Sequence, residues 1–244
     1  MIEKRFKEFV EKEDLRENDS PVLLAVSGGI DSVVMADLFH RAKINFVIAH
    51  CNFQLRGKES DSDEKFVEQL AKKYSVTFFA TKFETKIFSK ANKLSTQEAA
   101  RKLRYDWFEA VCTKHDIEFI ATAHHLNDSI ETFFINLLRG TGIEGLKGIP
   151  IKNGRIIRPL LKFTKTEIET YAQKRKLKHR EDSSNKEDLY LRNKIRHQLN
   201  PLLNNLNPRF ETVMHQTMSN LELPLEIFSK EVLKTFSLLF EEFT

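Results

Sequence analysis

Residues 22–32 read VLLAVSGGIDS, an apolar run from Val22 to Val26 that ends in Ser27, Gly28, Gly29, Ile30, Asp31 and Ser32. A short, continuous apolar run stopped by glycine is the pattern of a strand buried on both faces of a parallel sheet. The residues that follow predict a helix from Asp31 to about His40. Three further runs repeat the unit: INFVIA at 44–49, VTFFA at 76–80 and FIAT at 119–122, alternating with predicted helices over 61–74, 96–115 and 127–138. Strand and helix in this alternation imply right-handed crossovers and a doubly wound α/β fold. With a later apolar pair, Ile156 and Ile157, the expectation is a mostly parallel five-stranded sheet followed by a small helical C-terminal region.

Local signals refine the elements. Ser95 stands three residues before Glu98, a capping-box arrangement that starts the 96–115 helix. Ala100, Leu103, Trp107 and Val111 then make its expected core stripe, leaving Arg101 and Arg104 on other faces. Gly140, Gly142 and Gly145 spell a dinucleotide fingerprint, but they follow a helix instead of a strand, so the segment reads as a flexible loop. A polar helix is expected over 166–177, and helical pattern resumes near Asp188, with breaks at Asn207-Pro208 and Pro224. The expected division is a domain over 1–200 and a helical extension over 201–244.

At 244 residues and 41% hydrophobic content the chain can bury a substantial core. No apolar run approaches the roughly 18 residues of a membrane span. Cys51 and Cys112 are the two cysteines, too few for a disulfide framework or a four-thiolate zinc site, so a cytoplasmic protein is expected. The net charge is +4, but residues 151–204 hold 14 Lys+Arg against 6 Asp+Glu, a net +8 that leaves −4 for the rest. A basic portion fits a polyanionic partner, and equally a lysine-rich solvated surface.

The turn after the first strand carries chemistry. Gly28 and Gly29 lack Cβ, so backbone N–H groups can approach phosphate oxygens, and the following helix adds its positive end. Ser27 and Ser32 supply hydroxyls, while Asp31 suits either a magnesium ion on the phosphates or a role in fixing the turn. No GxxxxGK[ST] occurs, which argues against kinase-type handling of a γ-phosphate. The bland alternative is a glycine-rich turn that binds nothing. The complete SGGIDS at 27–32 resembles the SGGxDS loop of PP-loop ATP-pyrophosphatases. That resemblance implies ATP as co-substrate with Mg²⁺, cleavage between the α- and β-phosphates, and transfer of AMP to a substrate oxygen.

Further blocks sit at the carboxyl ends of later strands, where open α/β sheets bind ligands. His50 to Glu64 reads HCNFQLRGKESDSDE; its His50, Asn52 and Arg56 fit an anionic or nucleotide substrate, and its acidic residues fit helix capping equally well. At 121–132 the chain reads ATAHHLNDSIET, which places Asp128, Glu131 and Thr132 on one helix face. A carboxylate there can orient and deprotonate an amine, and His124 and His125 can bind phosphate or a base edge. Adjacent histidines lack the i, i+4 spacing of a helical zinc motif. Arg192 and Arg196, one helical turn apart, can meet RNA phosphates or stand as plain surface residues.

These blocks are similar to HCNFxLRGxESxxDE and HHxxDxxET of the lysidine synthetases. EAARKLRY at 98–105, RPLL at 158–161 and DSSN at 182–185, leading to YLRNKIR at 190–196, extend the match in order. The resemblance implies ligation of L-lysine to the wobble cytidine of a CAU-anticodon tRNA(Ile), with Arg101 and Asp128 at the reaction centre and Asp31 on the nucleotide side. A homodimer is compatible with the sequence. Two rivals stand beside this reading: a tRNA thiolase of the same superfamily, which needs a sulfur relay that no CxxC supplies, and a non-catalytic nucleotide- or RNA-binding module. Many lysidine synthetases carry further C-terminal domains, so with 48 residues after Arg196 this chain is expected to be a truncated or short member.

Overall fold

The computed structural model describes residues 2–16, 20–180 and 190–221. Those residues form two compact units, one of the described residues up to 125 and from 151 to 180, the other of 126–150 and 190–221. The DSSN segment at 182–185 lies outside the described residues.

The first unit is built on a six-stranded sheet of order β3-β2-β1-β4-β6-β5, with β1 at Val22–Ala25, β2 at Phe46–Asn52, β3 at Phe78–Lys82, β4 at Ile120–Ala121, β5 at Lys152–Asn153 and β6 at Ile156–Ile157. All pairings from β3 through β6 are parallel. These are the five strands expected from the sequence; the sixth, β5, adds an antiparallel edge through a tight return at Gly154, whose φ is +57°. Two polar residues give no apolar run to read.

The two faces of the sheet bury different clusters. On one, Val22, Leu24 and Ile48 pack with α1 (Ile2–Lys12), α2 (Ile30–Ala42), α3 (Lys58–Tyr74) and α7 (Lys165–Arg175). On the other, Leu23, Val47 and Ile120 meet α5 (Thr96–His115) through Phe108, Val111 and Cys112. The alternation of Leu23 against Val22 and Leu24 is the strand period of two, and burial on both faces explains the unbroken apolar runs. The α5 stripe is rotated from its expected position: Ala100 and Val111 are buried, but Phe108 and Cys112 complete the face, while Leu103 and Trp107 are half-buried.

Two helices have no counterpart in the expected elements, α1 and α4 (Thr85–Ala91). In α1, Phe6, Phe9 and Val10 supply the buried stripe, and Phe6 meets Phe39 of α2 edge-on at 5.3 Å. α2, which carries the glycine turn at its start, is also tied from behind. Its buried Asp37 accepts hydrogen bonds from Tyr74 of α3 at 3.0 Å and Tyr171 of α7 at 2.7 Å, and pairs with Arg41 at 3.1 Å. Burial, then the neighbouring carboxylate, push both phenols above their ordinary range.

In the second unit α6 (Leu126–Leu138) packs through Leu126 and Ile130 on Phe210, Met214 and Met218 of a helix over 210–221. The glycine-rich segment after it contains a 3₁₀ turn at Ile143–Lys147, so it is more ordered than a flexible loop. α8 (Tyr190–Lys194) passes through a π turn, Ile195–Leu199, into α9 (Asn200–Leu206), which stops at Asn207 before Pro208 as expected.

Candidate active site

The strand order reverses direction between β1 and β4, so the turns that leave these two strands diverge and open a crevice at their carboxyl ends. The β1 turn is the SGGIDS segment. Gly28 takes φ +96°, a left-handed conformation that favours glycine, and is walled by Phe66 and Val67 of α3. Ser27 and Ser32 brace the turn from inside: Gly29 N–H donates to Ser27 Oγ at 3.2 Å, Gly28 N–H to Ser32 Oγ at 3.2 Å, and Ser32 Oγ donates to the Gly29 carbonyl at 2.9 Å. Gly29 caps α2 in extended geometry with no side-chain cap, which leaves the helix N-terminus to an external acceptor.

A cavity of about 270 Å³ extends from this turn. Ser27, Gly29, Asp31 and Ser32 of the turn line it together with Phe53, Arg104, Tyr105 and His124. His124 Nδ1 lies 2.9 Å from Thr122 Oγ1. Arg101 is exposed one turn before Tyr105, its guanidinium 5.1 Å from that ring's centroid. Phe53 stacks on Phe83 at 5.7 Å and carries the Arg104 guanidinium at 5.2 Å. Arg158 is buried, and desolvation, with the like charge of Arg101 adding to it, lowers its pKa from the usual guanidinium range.

Asp31 is the carboxylate of the turn, and its Oδ1 lies 2.6 Å from Lys165 Nζ and 4.0 Å from Nε2 of the buried His125. Lys165 is the first residue of α7, set there by a capping box between Thr164 and Glu167. It went unread in the sequence; the Thr-Lys-Thr-Glu box was the available signal, but nothing local says which strand end the helix faces.

The HCN block does not act as an open set of substrate contacts. His50 is buried, with Nδ1 2.8 Å from the Val26 carbonyl, and burial lowers its pKa from 6.5. Asn52 is 1% exposed and fully occupied, donating to Asp61 at 3.0 Å and Glu64 at 2.8 Å and accepting from Gln54 N–H at 3.0 Å. Asp61 and Glu64 therefore do more than start a helix; α3 already begins at Lys58, and Lys82 and Asn52 together lower the Asp61 pKa. Arg56 donates to Asp63 at 2.8 Å, and Asp63 also takes Arg180 Nε at 2.8 Å. Because Arg180 N–H donates to the Gly28 carbonyl at 2.9 Å, Asp63 links the HCN block to the glycine turn. Neither Asp63 nor Arg180 was singled out from sequence.

In the second unit, Glu131 is 1% exposed and held by Arg196 through two hydrogen bonds, at 2.7 and 3.0 Å, with Arg192 at 3.5 Å. Arg196 also lies 3.6 Å from Asp128. The two arginines thus compensate a buried carboxylate instead of standing as plain surface cations. The π turn that contains Arg196 shifts its register relative to a regular helix. Thr132 Oγ1 bonds back to the Asp128 carbonyl at 2.9 Å.

Among the described residues, no group of three or more His, Cys, Asp or Glu side chains is placed to hold a metal ion. A single carboxylate at the start of a glycine turn is nonetheless a suitable donor for a cation that takes most of its ligands from a nucleotide and water, so Asp31 fits Mg²⁺ carried on a polyphosphate. No helix of the described residues is long and apolar enough to cross a membrane.

A parallel sheet whose first strand ends in a serine-braced glycine turn, beside an aspartate and a lysine, defines an α/β protein with the geometry of a phosphate-binding turn at a topological switch point. The chain belongs to the PP-loop domain family, which matches residues 1–203. It is 43% identical over 232 residues to the tRNA(Ile)-lysidine synthase of Bacteroides thetaiotaomicron, covering 95% of this chain and 54% of the relative. It is 41% identical over 226 residues to that of Chlorobaculum tepidum, covering 90% and 66%. The chain thus spans about half to two thirds of the length of these curated relatives. Two solved structures share the fold: the U34-tRNA thiolase NcsA of Methanococcus maripaludis, solved with its 4Fe-4S cluster, at TM-score 0.71 and 21% identity over 89% of this chain and 78% of that one; and the NH3-dependent NAD synthetase of Campylobacter jejuni, at 0.55 and 18% over 90% and 91%.

Proposed function

We propose that this chain is the catalytic part of an ATP-dependent ligase that joins L-lysine to C2 of the wobble cytidine in the CAU anticodon of tRNA(Ile), a cytoplasmic reaction. Residues 1–200 are read as the catalytic domain and 201–244 as a helical extension. The observation that carries the reading is the serine-braced turn at 27–32 opening into a cavity that Arg104, Tyr105 and His124 also line. Beside it stands the similarity to lysidine synthases over nearly the whole chain.

In the first step the C2 oxygen of cytidine attacks the α-phosphorus of ATP. The bond to the bridging oxygen breaks, and pyrophosphate leaves with its electron pair. The N–H groups at the start of α2 stabilise charge growing on phosphate oxygens, and Arg101, one turn before the cavity-lining Tyr105, is the residue assigned to neutralise the α-phosphate. Asp31 is the residue that would hold Mg²⁺ arriving with the nucleotide, and the ion would supply further neutralisation of the polyphosphate. Lys165, paired with Asp31 at 2.6 Å, holds a positive charge at the same turn. In the second step the neutral ε-amine of lysine attacks C2, the C2–O bond breaks, AMP leaves, and Asp128 accepts the proton released by nitrogen. Arg192 and Arg196 hold Glu131, and Arg196 also holds Asp128, in place on α6, so the substrate-binding role read for these arginines and Glu131 is an indirect one that fixes Asp128. The cytidine is unstacked to enter the pocket.

A thiolase reading is disfavoured by thiol chemistry. Cys112 is buried and Cys51 half-buried, and burial pushes their thiols up to about 11 and about 12, so both stay protonated and poorly nucleophilic near neutral pH. Incubation with CAU-anticodon tRNA, ATP and either radiolabelled lysine or a sulfur donor separates the readings. Label from lysine in the tRNA is the expected result; label from sulfur contradicts it.

A further inference from the structure

The helices α4 and α5 pack as a hairpin closed by a turn at Asn92–Ser95. Residues 82–104, which contain it, hold seven Lys and Arg (82, 86, 90, 93, 101, 102 and 104) against two Glu (84 and 98), a net +5. That exceeds the +4 of the whole chain, so the remaining residues sum to −1. The hairpin lies outside the basic 151–204 portion and forms a second concentration of positive charge.

Lys82 is committed to Asp61 at 2.7 Å and Lys102 to Asp106 at 3.0 Å. Lys86, Lys90 and Lys93 differ: all three are exposed and make no ion pair among the described residues. Lys86 and Lys90 are four apart on α4, hence on one face, and Lys93 is in the turn directly beyond. Ile87 beside them is 64% exposed. An unpaired like-charge cluster with an apolar neighbour raises the energy of the isolated protein and is relieved by a polyanion. The cluster is also connected to the site. Arg104, Tyr105 and Phe108 of α5 line the cavity, and two turns toward the N-terminus the same helix meets the α4 turn, about 12 Å away at the helical rise.

We infer that the α4–α5 hairpin is an RNA-backbone contact surface, in which Lys86, Lys90 and Lys93 bind phosphates of the strand that flanks the base held in the cavity. The inference rests on the reading of an RNA substrate. An acidic protein partner is the other occupant that such charge fits; the continuity of the hairpin with the cavity wall, through Arg104, Tyr105 and Phe108 of α5, favours RNA.

The test compares binding of full-length wild-type chain, the Lys86→Ala/Lys90→Ala/Lys93→Ala variant and a Lys4→Ala/Lys7→Ala/Lys12→Ala variant on α1 to CAU-anticodon tRNA across a salt series. The α1 variant removes the same charge elsewhere, and thermal melting with ATP binding confirms that both variants fold. The expected result is a hairpin variant whose plot of log affinity against log salt is shallower by about 2 to 3, with affinity at least about tenfold weaker at low salt, while the α1 variant follows wild type. Equal slopes for wild type and the hairpin variant, or equal losses in both variants, overturn the proposal. The underlying reading fails differently: wild-type chain then binds tRNA no better than an acidic polypeptide, before any variant is compared, and the hairpin assignment falls with it.

Discussion

Lys165 Nζ lies 2.6 Å from Asp31 Oδ1, so the first turn of α7 delivers a cation to the only carboxylate of the 27–32 turn. The sequence has no GxxxxGK[ST] lysine, so this pair places a lysine beside the turn by another route. Replacing Lys165 with Met is expected to lower kcat/KM for ATP by at least about tenfold, a loss on the order of 1.4 kcal/mol of transition-state stabilisation, with partial recovery in Lys165→Arg. Steady-state release of pyrophosphate reads this directly. Unchanged kinetics in the Met variant make the pair a brace of the turn and nothing more.

The same pair shows where sequence reading stops. The glycine turn is legible because its chemistry is contiguous: six adjacent residues supply the strand end, the two glycines, the hydroxyls and the carboxylate. Its partners are not, because Lys165 is 134 residues from Asp31 and Arg180 is 117 from Asp63. Pairing at that separation is decided by how strands and helices pack, which periodicity does not encode. The buried strands were legible for a related reason, since burial on both faces leaves unbroken apolar runs. Helix α1 hides its stripe of Phe6, Phe9 and Val10 among seven charged residues, and α4 at seven residues is too short for a period to show. For Arg192 and Arg196 the residue types are compatible with RNA contact, yet 65 residues separate Arg196 from the Glu131 that it neutralises.

Asp63 joins Arg56 and Arg180, each at 2.8 Å, from a side chain only 10% exposed. Asp63→Ala leaves two guanidinium groups facing each other without their counter-charge. The expected cost is about 1–3 kcal/mol, less than for a fully buried pair because both arginines reach solvent. The mobility of the glycine turn should rise with it. Urea unfolding checks the first point, and hydrogen exchange at Gly28 and Arg180 the second; a stable variant with unaltered exchange refutes the linkage.

Glu131 is the most buried carboxylate of the second unit's ion cluster. Glu131→Gln keeps the shape but removes the charge that compensates Arg192 and Arg196, and is expected to destabilise the unit by about 2–4 kcal/mol. If the midpoint of denaturant unfolding stays put, the cluster is not structural and the arginines are free for another role.

His50 provides a pH dependence. Burial lowers its pKa below 6.5, so beneath that value the unfolded chain takes up a proton that the folded one refuses. Its contribution is therefore complete above pH 6.5 and declines as pH falls toward the folded-state pKa. Thermal melts of wild type and His50→Gln should have different slopes below pH 6.5, with wild type falling more steeply. Parallel curves indicate that His50 titrates normally in the fold.

The central claim is that one nucleotide turn and the blocks around it activate a tRNA cytidine for attack by lysine. Mass analysis of nucleosides from CAU-anticodon tRNA(Ile), after treatment with the chain, ATP, Mg²⁺ and L-lysine, tests it most directly. The predicted result is loss of the wobble cytidine and appearance of a nucleoside heavier by one lysine less one water, with one AMP and one pyrophosphate per event, all absent in Asp128→Ala. An unmodified wobble cytidine after ATP has been consumed, or a sulfur-containing nucleoside in its place, contradicts the account.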